Sequence, residues 1–375
     1  MQGQIRSARI DFLRGLSILL VLLHHFNIAY RLDDTALSAL FGWDAVRAVA
    51  RNGNYGVTMF FVISGFLITG HALRRWGSLA AIDARAFYIR RAARILPCLL
   101  LLLVAVNLLG AAGIAIFQTR APGVAWQVDL AALTFWMNVL IARDGWVNYP
   151  LGVLWSLSVE EVFYLAFPLL CLALRRPAWL AVVLAALIVA GPLWRAAHAG
   201  DEGGFLYAYL ACFDGIAIGC ATALLARRLG PGGRRLAVLQ SAAAGGMAGL
   251  YLQWPIGAAH VAGVTAMALG TATLLLDAGR AADRAHGPVL AGFGWLGRHS
   301  YELYLFHLLV LGGLRTVFPP RGVVGDAKLL LLAAFLALSA AIAAAIARCY
   351  AEPLNRWIRR RLPDPLAPQV AVPER

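Results

Sequence analysis

About ten uninterrupted apolar runs, most near 20 residues, leave this chain one kind of fold. They fall near 10–30, 55–73, 94–117, 154–174, 178–198, 206–226, 236–254, 258–277, 294–314 and 327–349. A helix needs about 20 apolar residues to cross a hydrocarbon core of about 30 Å. Backbone polar groups inside lipid must be satisfied within the protein, so only helices and closed barrels span. Runs of this length without strict alternation select helices. The expected fold is an all-α polytopic membrane protein with about ten transmembrane helices. An eleventh run, LAALTFWMNVLIA at 130–142, is 13 residues long and suits a short re-entrant or interfacial helix.

Composition bears on partners. Of 375 residues, 61% are hydrophobic and 14% charged, against about 25% charged in soluble chains. The net charge is +14, and Lys328 is the only lysine. The arginines fall in short clusters between apolar runs: Arg74 to Arg94, Arg175/Arg176, Arg227 to Arg235, and Arg356 to Arg361. That is the pattern of cytoplasmic loops, so membrane lipids and no nucleic acid are the expected surroundings. The acidic loop GDEGG at 200–204 then lies outside. This parity holds only if 130–142 does not cross, and it puts both termini in the cytoplasm. Arg6 and Arg9 precede the first run with no small-residue cleavage site after it, which reads as an uncleaved first span. Residues 8–355 form the membrane unit, and 356–375 are expected to be a basic, Pro-rich, disordered cytoplasmic tail. The five cysteines lie in or beside apolar runs without a CxxC pair and read as packing residues.

Polar residues inside apolar runs are costly and mark function. Arg14 and His25 stand on one face of the first span, about 16 Å apart at 1.5 Å per residue. Arg90, Arg91 and Arg94 mark the inner start of the third span. Arg91 and Arg94 are one turn apart and, with Arg14 at similar depth, suit a phosphate-bearing ligand. In LWSLSVEEVFYL, Glu160 and Glu161 point about 100° apart, so at most one is expected to face a given cleft. Tyr164 lies one turn from Glu160. SYELYLFH carries Ser300, Tyr301, Tyr304 and His307 in the ninth run, which leads outward from 294. Glu352 is expected to cap the last span and Pro353 to end it. Ser64-Gly65, midway along the second span, suits close helix packing.

Depth sorts these residues into two sets. Arg14, Arg91 and Arg94 fall on the cytoplasmic side, and His25, Glu160 and His307 in the outer half. A phosphate-bearing donor inside and an acid–base centre farther out point to group transfer toward the outer face. A neutral imidazole can take the proton of an attacking hydroxyl, with an acidic partner holding its tautomer. No His spacing fits a metal site.

These motifs resemble membrane acyltransferase family 3, the integral O-acyltransferases of bacterial cell-surface sugars. The matching stretches are LRGLSILLVLLHH, VTMFFVISGFLIT, RRAARILP, LWSLSVEEVFYL, SYELYLFH and YAEPL, in the family's order over about residues 8–355. The departures are Val162 where a Gln is usual and Phe306 where a Trp is usual. The resemblance implies an inner-membrane, multi-pass O-acyltransferase with acyl-coenzyme A, acetyl-coenzyme A above all, as co-substrate and no metal. It implies a glycan or lipid-linked sugar acceptor, His25 as catalytic base, and Glu160 and His307 beside it. Arg14, Arg91 and Arg94 become donor-binding residues. No fused esterase-like domain is in the sequence, so direct transfer or a separate periplasmic acyl-handling partner is expected. The competing readings are a proton-coupled transporter of an anionic or sugar substrate, and an acyltransferase acting on a small molecule or lipid.

Overall fold

The computed structural model describes residues 7–120, 125–229, 232–278 and 287–360. Among them the membrane runs are mostly helical, and seven helical stretches are long and apolar enough to cross a membrane. The protein is an all-α polytopic membrane protein.

The first apolar run is α1 (Ala8–Ala29), its start capped by the Ser7 hydroxyl, which accepts from the amide of Ile10. Two short helices follow, α2 (Ala36–Phe41) and α3 (Trp43–Ala50), before the long α4 (Gly53–Trp76). The next helix, α5 (Ala84–Ala111), begins ten residues earlier than the apolar run at 94. Its start is set by Asp83, whose carboxylate accepts from the amide of Ala86. Arg90, Arg91 and Arg94 therefore sit in its second and third turns, deeper than the helix mouth expected from hydropathy.

The run at 130–142 is two helices, α6 (Ala125–Leu133) and α7 (Met137–Asp144). They break at Phe135, whose φ of 61° no helix continues through. Each is about 12–14 Å long, too short to cross. The α7 amide of Met137 donates to Ser158 of α8 (Leu154–Leu174), so the pair folds into the bundle. After α8 come α9 (Pro177–Ala197) and α10 (Tyr209–Arg228), then α11 (Arg234–Gln253), α12 (Ile256–Ala259) and α13 (Ala262–Leu275).

The run expected as one span at 294–314 is instead two helices, α14 (Pro288–Arg298) and α15 (Ser300–Val317), parted at His299. α14 packs closely against α1. A side chain at Gly297 would land on the carbonyl of Asp11, and one at Gly15 on that of Phe293, so the two backbones touch. The last run gives α16 (Ala327–Ile346) and α17 (Glu352–Arg359), joined by a π-helical turn over Ala347–Ala351. Pro353 was expected to end the helix. It sits instead in the first turn of α17, directly after the π-helical turn, and the helix runs on through it to Arg359. Arg356 and Arg359, expected in a disordered tail, complete α17, and residues 361–375 lie outside the described residues.

Packing centres on α1, α4 and α10. α4 lies against α10, and α10 also against α8, α9 and α13. Here too backbones meet: a Cβ at Gly65 would strike the carbonyl of Ile216, and one at Gly219 the carbonyl of Val62. Ser64-Gly65 thus serves close packing, as its sequence suggested. Leu100, Val104, Leu108, Leu169, Val182, Val189 and Leu330 stay exposed, which is the face a lipid-embedded bundle turns outward.

At the far end from Arg14 the loop after α1 is clasped to the loop before α16. Lys328 donates to the carbonyl of Arg31 at 2.7 Å and to Asp34 at 2.6 Å. The amide of Gly325 donates to Asp34 at 2.9 Å. That amide and then Lys328 hold the Asp34 carboxyl below its ordinary pKa.

Candidate active site

α1 and α15 lie side by side and bring His25 and His307 together, with ring centroids 5.1 Å apart. His307 is fully buried. Its Nδ1 lies 2.8 Å from the carbonyl of Tyr304 and 3.1 Å from that of Leu303. Both partners are acceptors, so Nδ1 carries the proton and Nε2 the lone pair. Nε2 is buried and without a hydrogen-bond partner. His25 is half-buried, and the ring of Trp146 stands 6.3 Å away. His24 turns against the backbone at Gly53 instead. The carboxylate expected to hold an imidazole is thus replaced by backbone carbonyls of the same helix.

One turn away, Tyr304 ties α15 to α8. Its hydroxyl donates to the carbonyl of Val153 at 3.0 Å and accepts from Ser156 at 2.7 Å. The ring of Phe60 meets Tyr304 edge-on at 6.3 Å. These contacts fix the turn that carries His307.

Glu160 does not bond to either imidazole. Its Oε1 accepts from the Ser64 hydroxyl at 3.0 Å, and its Oε2 lies 3.6 Å from Arg91. Glu161 takes Arg91 directly, accepting from Nε at 2.9 Å and Nη2 at 2.6 Å. The ring of Tyr164 stacks on the guanidinium at 3.9 Å. Two expectations change here. Both carboxylates face one partner, because the long Arg91 fork spans the 100° between them. Arg91 is also held by carboxylates and a ring, joining the two depth sets rather than standing with Arg14. The length of α5 explains it: starting at Ala84, this helix carries Arg91 inward to meet α8.

Arg14 donates through Nε at 3.2 Å and Nη2 at 2.9 Å to the buried hydroxyl of Ser300, the first residue of α15. Arg94 lies within electrostatic range of it. One helix pair, α1 with α15, thus carries a cation at one end and two imidazoles about 16 Å along.

A second buried ion pair escaped the sequence reading. Arg195 of α9 donates to Asp214 of α10 at 3.1 and 2.7 Å and to Thr265 of α13 at 2.7 Å. Both side chains are 1% exposed. Each stands alone in an apolar run, the signal that would have flagged it. With Phe61, Trp155 and Cys212, the pair lines a cavity of about 20 Å³, room for one water.

A family profile described as an acyltransferase domain matches residues 7–349. A Staphylococcus aureus (strain COL) protein with a provisional O-acetyltransferase name is 32% identical over 174 residues, 44% of this chain and 24% of its own. The peptidoglycan O-acetyltransferase OatA of Listeria monocytogenes is 28% identical over 192 residues, 49% of this chain and 28% of its own. A Bacillus subtilis protein, YrhL, provisionally named for the same peptidoglycan activity, is 27% identical over 230 residues, 58% of this chain and 33% of its own. The matches therefore span about a quarter to a third of these relatives' length. No solved structure matches.

Proposed function

We propose that this chain, which belongs to the acyltransferase domain family and is a membrane-embedded acyltransferase, moves an acetyl group from acetyl-coenzyme A to a glycan hydroxyl. The donor enters at the arginine-lined end, on the cytoplasmic side of a bacterial inner membrane, with both termini on that side. Its phosphates sit on Arg14 and Arg94, whose guanidinium forks suit phosphate oxygens. The pantetheine arm, about 15–20 Å when extended, runs along α1 and brings the thioester to His25, about 16 Å away. Glu160 and Arg91 line the way between.

At the imidazole pair His25 takes the proton of the acceptor hydroxyl as its oxygen attacks the thioester carbonyl. The C–S bond breaks, the ester forms, and the imidazolium returns the proton to the leaving thiolate. His307, held by its Nδ1–H with Nε2 unpartnered, positions His25 or the acceptor. The observation that carries this reading is the His25–His307 pair, with Nε2 of His307 unpartnered, on the helix pair that also holds Arg14.

The relatives named for peptidoglycan O-acetylation support a cell-surface glycan or its lipid-linked precursor as acceptor. A separate periplasmic partner that passes the acyl group on is compatible with the same site. The test is ester formation on peptidoglycan fragments by the purified protein with labelled acetyl-coenzyme A. His25→Ala should insert normally and lose about 10²- to 10⁴-fold in rate. Wild-type rates in that variant sink the mechanism, and label that crosses vesicles without ester formation makes the protein a transporter.

A further inference from the structure

Beyond Arg14 and Arg94, the same end of the bundle gathers cations that the transfer chemistry does not use. Arg359 on α17 lies within electrostatic range of Arg75, Arg90 and Arg94. His71, one turn before Arg74 and Arg75 on α4, is within range of Arg14, Arg74, Arg94 and Arg359. Four helices, α1, α4, α5 and α17, thus point basic groups at one region. The carboxylates in range of Arg14 are Asp11, Glu302 and Glu160, and Glu160 is already engaged by Ser64 and Arg91. Arg14, Arg94, Arg74 and Arg359 make the region basic, and guanidinium forks gathered this way stabilise a phosphate placed among them.

Exposure grades across this region. Arg14 and Arg94 are half-buried, while His71, Arg74 and Arg359 are exposed. The first two form a floor and the others a rim. Arg359 reaches the rim because of the π turn. The continuous helical stretch Ala327–Arg359 has 33 residues, about 50 Å of helix, well beyond a hydrocarbon core of about 30 Å. Its end projects past the membrane and packs on α5, bringing Arg359 over the basic turns of that helix.

We propose that Arg74 and Arg359 form a second phosphate-binding tier above Arg14 and Arg94, so that the site selects a donor with phosphates at two separate positions. The proposal rests on the donor reading above. Coenzyme A has this form: a diphosphate joined to the pantetheine arm, and a 3′-phosphate farther out on the ribose. With the arm directed at His25, the diphosphate falls to the floor and the 3′-phosphate to the rim. The site then discriminates coenzyme A from its 3′-dephospho form, which lacks the outer group.

The test is calorimetric binding of coenzyme A and 3′-dephospho-coenzyme A to the full-length protein in phosphatidylcholine nanodiscs. The wild type should favour coenzyme A by about tenfold, the worth of one charged hydrogen-bonded contact. Arg359→Ala and Arg74→Ala should each weaken coenzyme A by about tenfold, leave the dephospho form nearly unchanged, and keep the wild-type melting temperature. Arg359→Lys should recover part of the loss, since it keeps charge without the fork. Wild-type protein that binds no coenzyme A overturns the donor reading and this proposal together. Equal affinity of the wild type for both forms, or coenzyme A binding that Arg359→Ala leaves unchanged, overturns the second tier alone. So does a variant whose only defect, in discs containing phosphatidylglycerol, is loss of that lipid: the tier would then hold lipid headgroups.

Discussion

His307 is a buried imidazole oriented by backbone carbonyls, without a carboxylate. As a helix residue it donates its Nδ1 proton to carbonyls three and four residues earlier, and Nε2 is left without a hydrogen-bond partner, its ring 5.1 Å from that of His25. His307→Ala should lower the transfer rate strongly with little change in coenzyme A affinity, read as a fall in kcat at constant donor Kd. The carboxylates beside Arg91 differ in kind. Glu161 carries the two short bonds, so Glu161→Gln leaves a part-buried guanidinium without its main counter-charge. That variant should lose about 3 kcal/mol of stability, seen as a lower melting temperature in detergent. Glu160→Gln should melt close to wild type, because it gives up only the longer contact to Arg91 and can still accept from Ser64.

At the scale of helices, the bundle is organised by places where backbones touch. α4 and α10 meet at Gly65 and Gly219, and α1 meets α14 at Gly15 and Gly297. Gly65→Val would push a branched side chain into the carbonyl of Ile216. It should destabilise the bundle by about 1–3 kcal/mol, the usual cost of overpacking, and expression with a thermal-shift assay will show it. The same contact carries Ser64 to Glu160, so the variant should also disturb the central site. The two short helices α6 and α7 were legible as a short, non-crossing segment. Their break at Phe135 was not, because a left-handed backbone at a non-glycine residue is imposed by surroundings rather than by local preference.

For the molecule as a whole, the clasp between Asp34, Lys328 and Gly325 joins the loop after α1 to the loop before α16, closing the end opposite the arginines. The Asp34 carboxyl is held below its ordinary pKa, so its contribution is complete at neutral pH and is lost as pH falls through that lowered value. Asp34→Asn should lower the neutral-pH melting temperature slightly and flatten its decline below about pH 4. The two faces give a topology test as well. A cysteine placed at Asp34 in a cysteine-free background should react with an impermeant thiol reagent in intact cells, and one at Arg359 only after the membrane is opened. The reverse pattern would overturn the orientation from which transfer toward the outer face follows.

The apolar runs by themselves determined that this chain is a helical membrane protein, because lipid admits so few ways to satisfy a backbone. The Arg14–His25 spacing put a cation and a base on one face, since helical periodicity is fixed by bond geometry. Depth and the family resemblance set His307 beside His25, but the 5.1 Å between their rings depends on how α1 and α15 lie together. Only the tertiary structure decided that Arg91 belongs to Glu161 and Glu160, because that depends on α5 starting ten residues before its apolar run. Arg195–Asp214 likewise joins two separate helices. Each helix dictates its own faces through its own periodicity, but which faces meet, and at what depth, is settled by backbone contacts and helix lengths summed over the whole bundle.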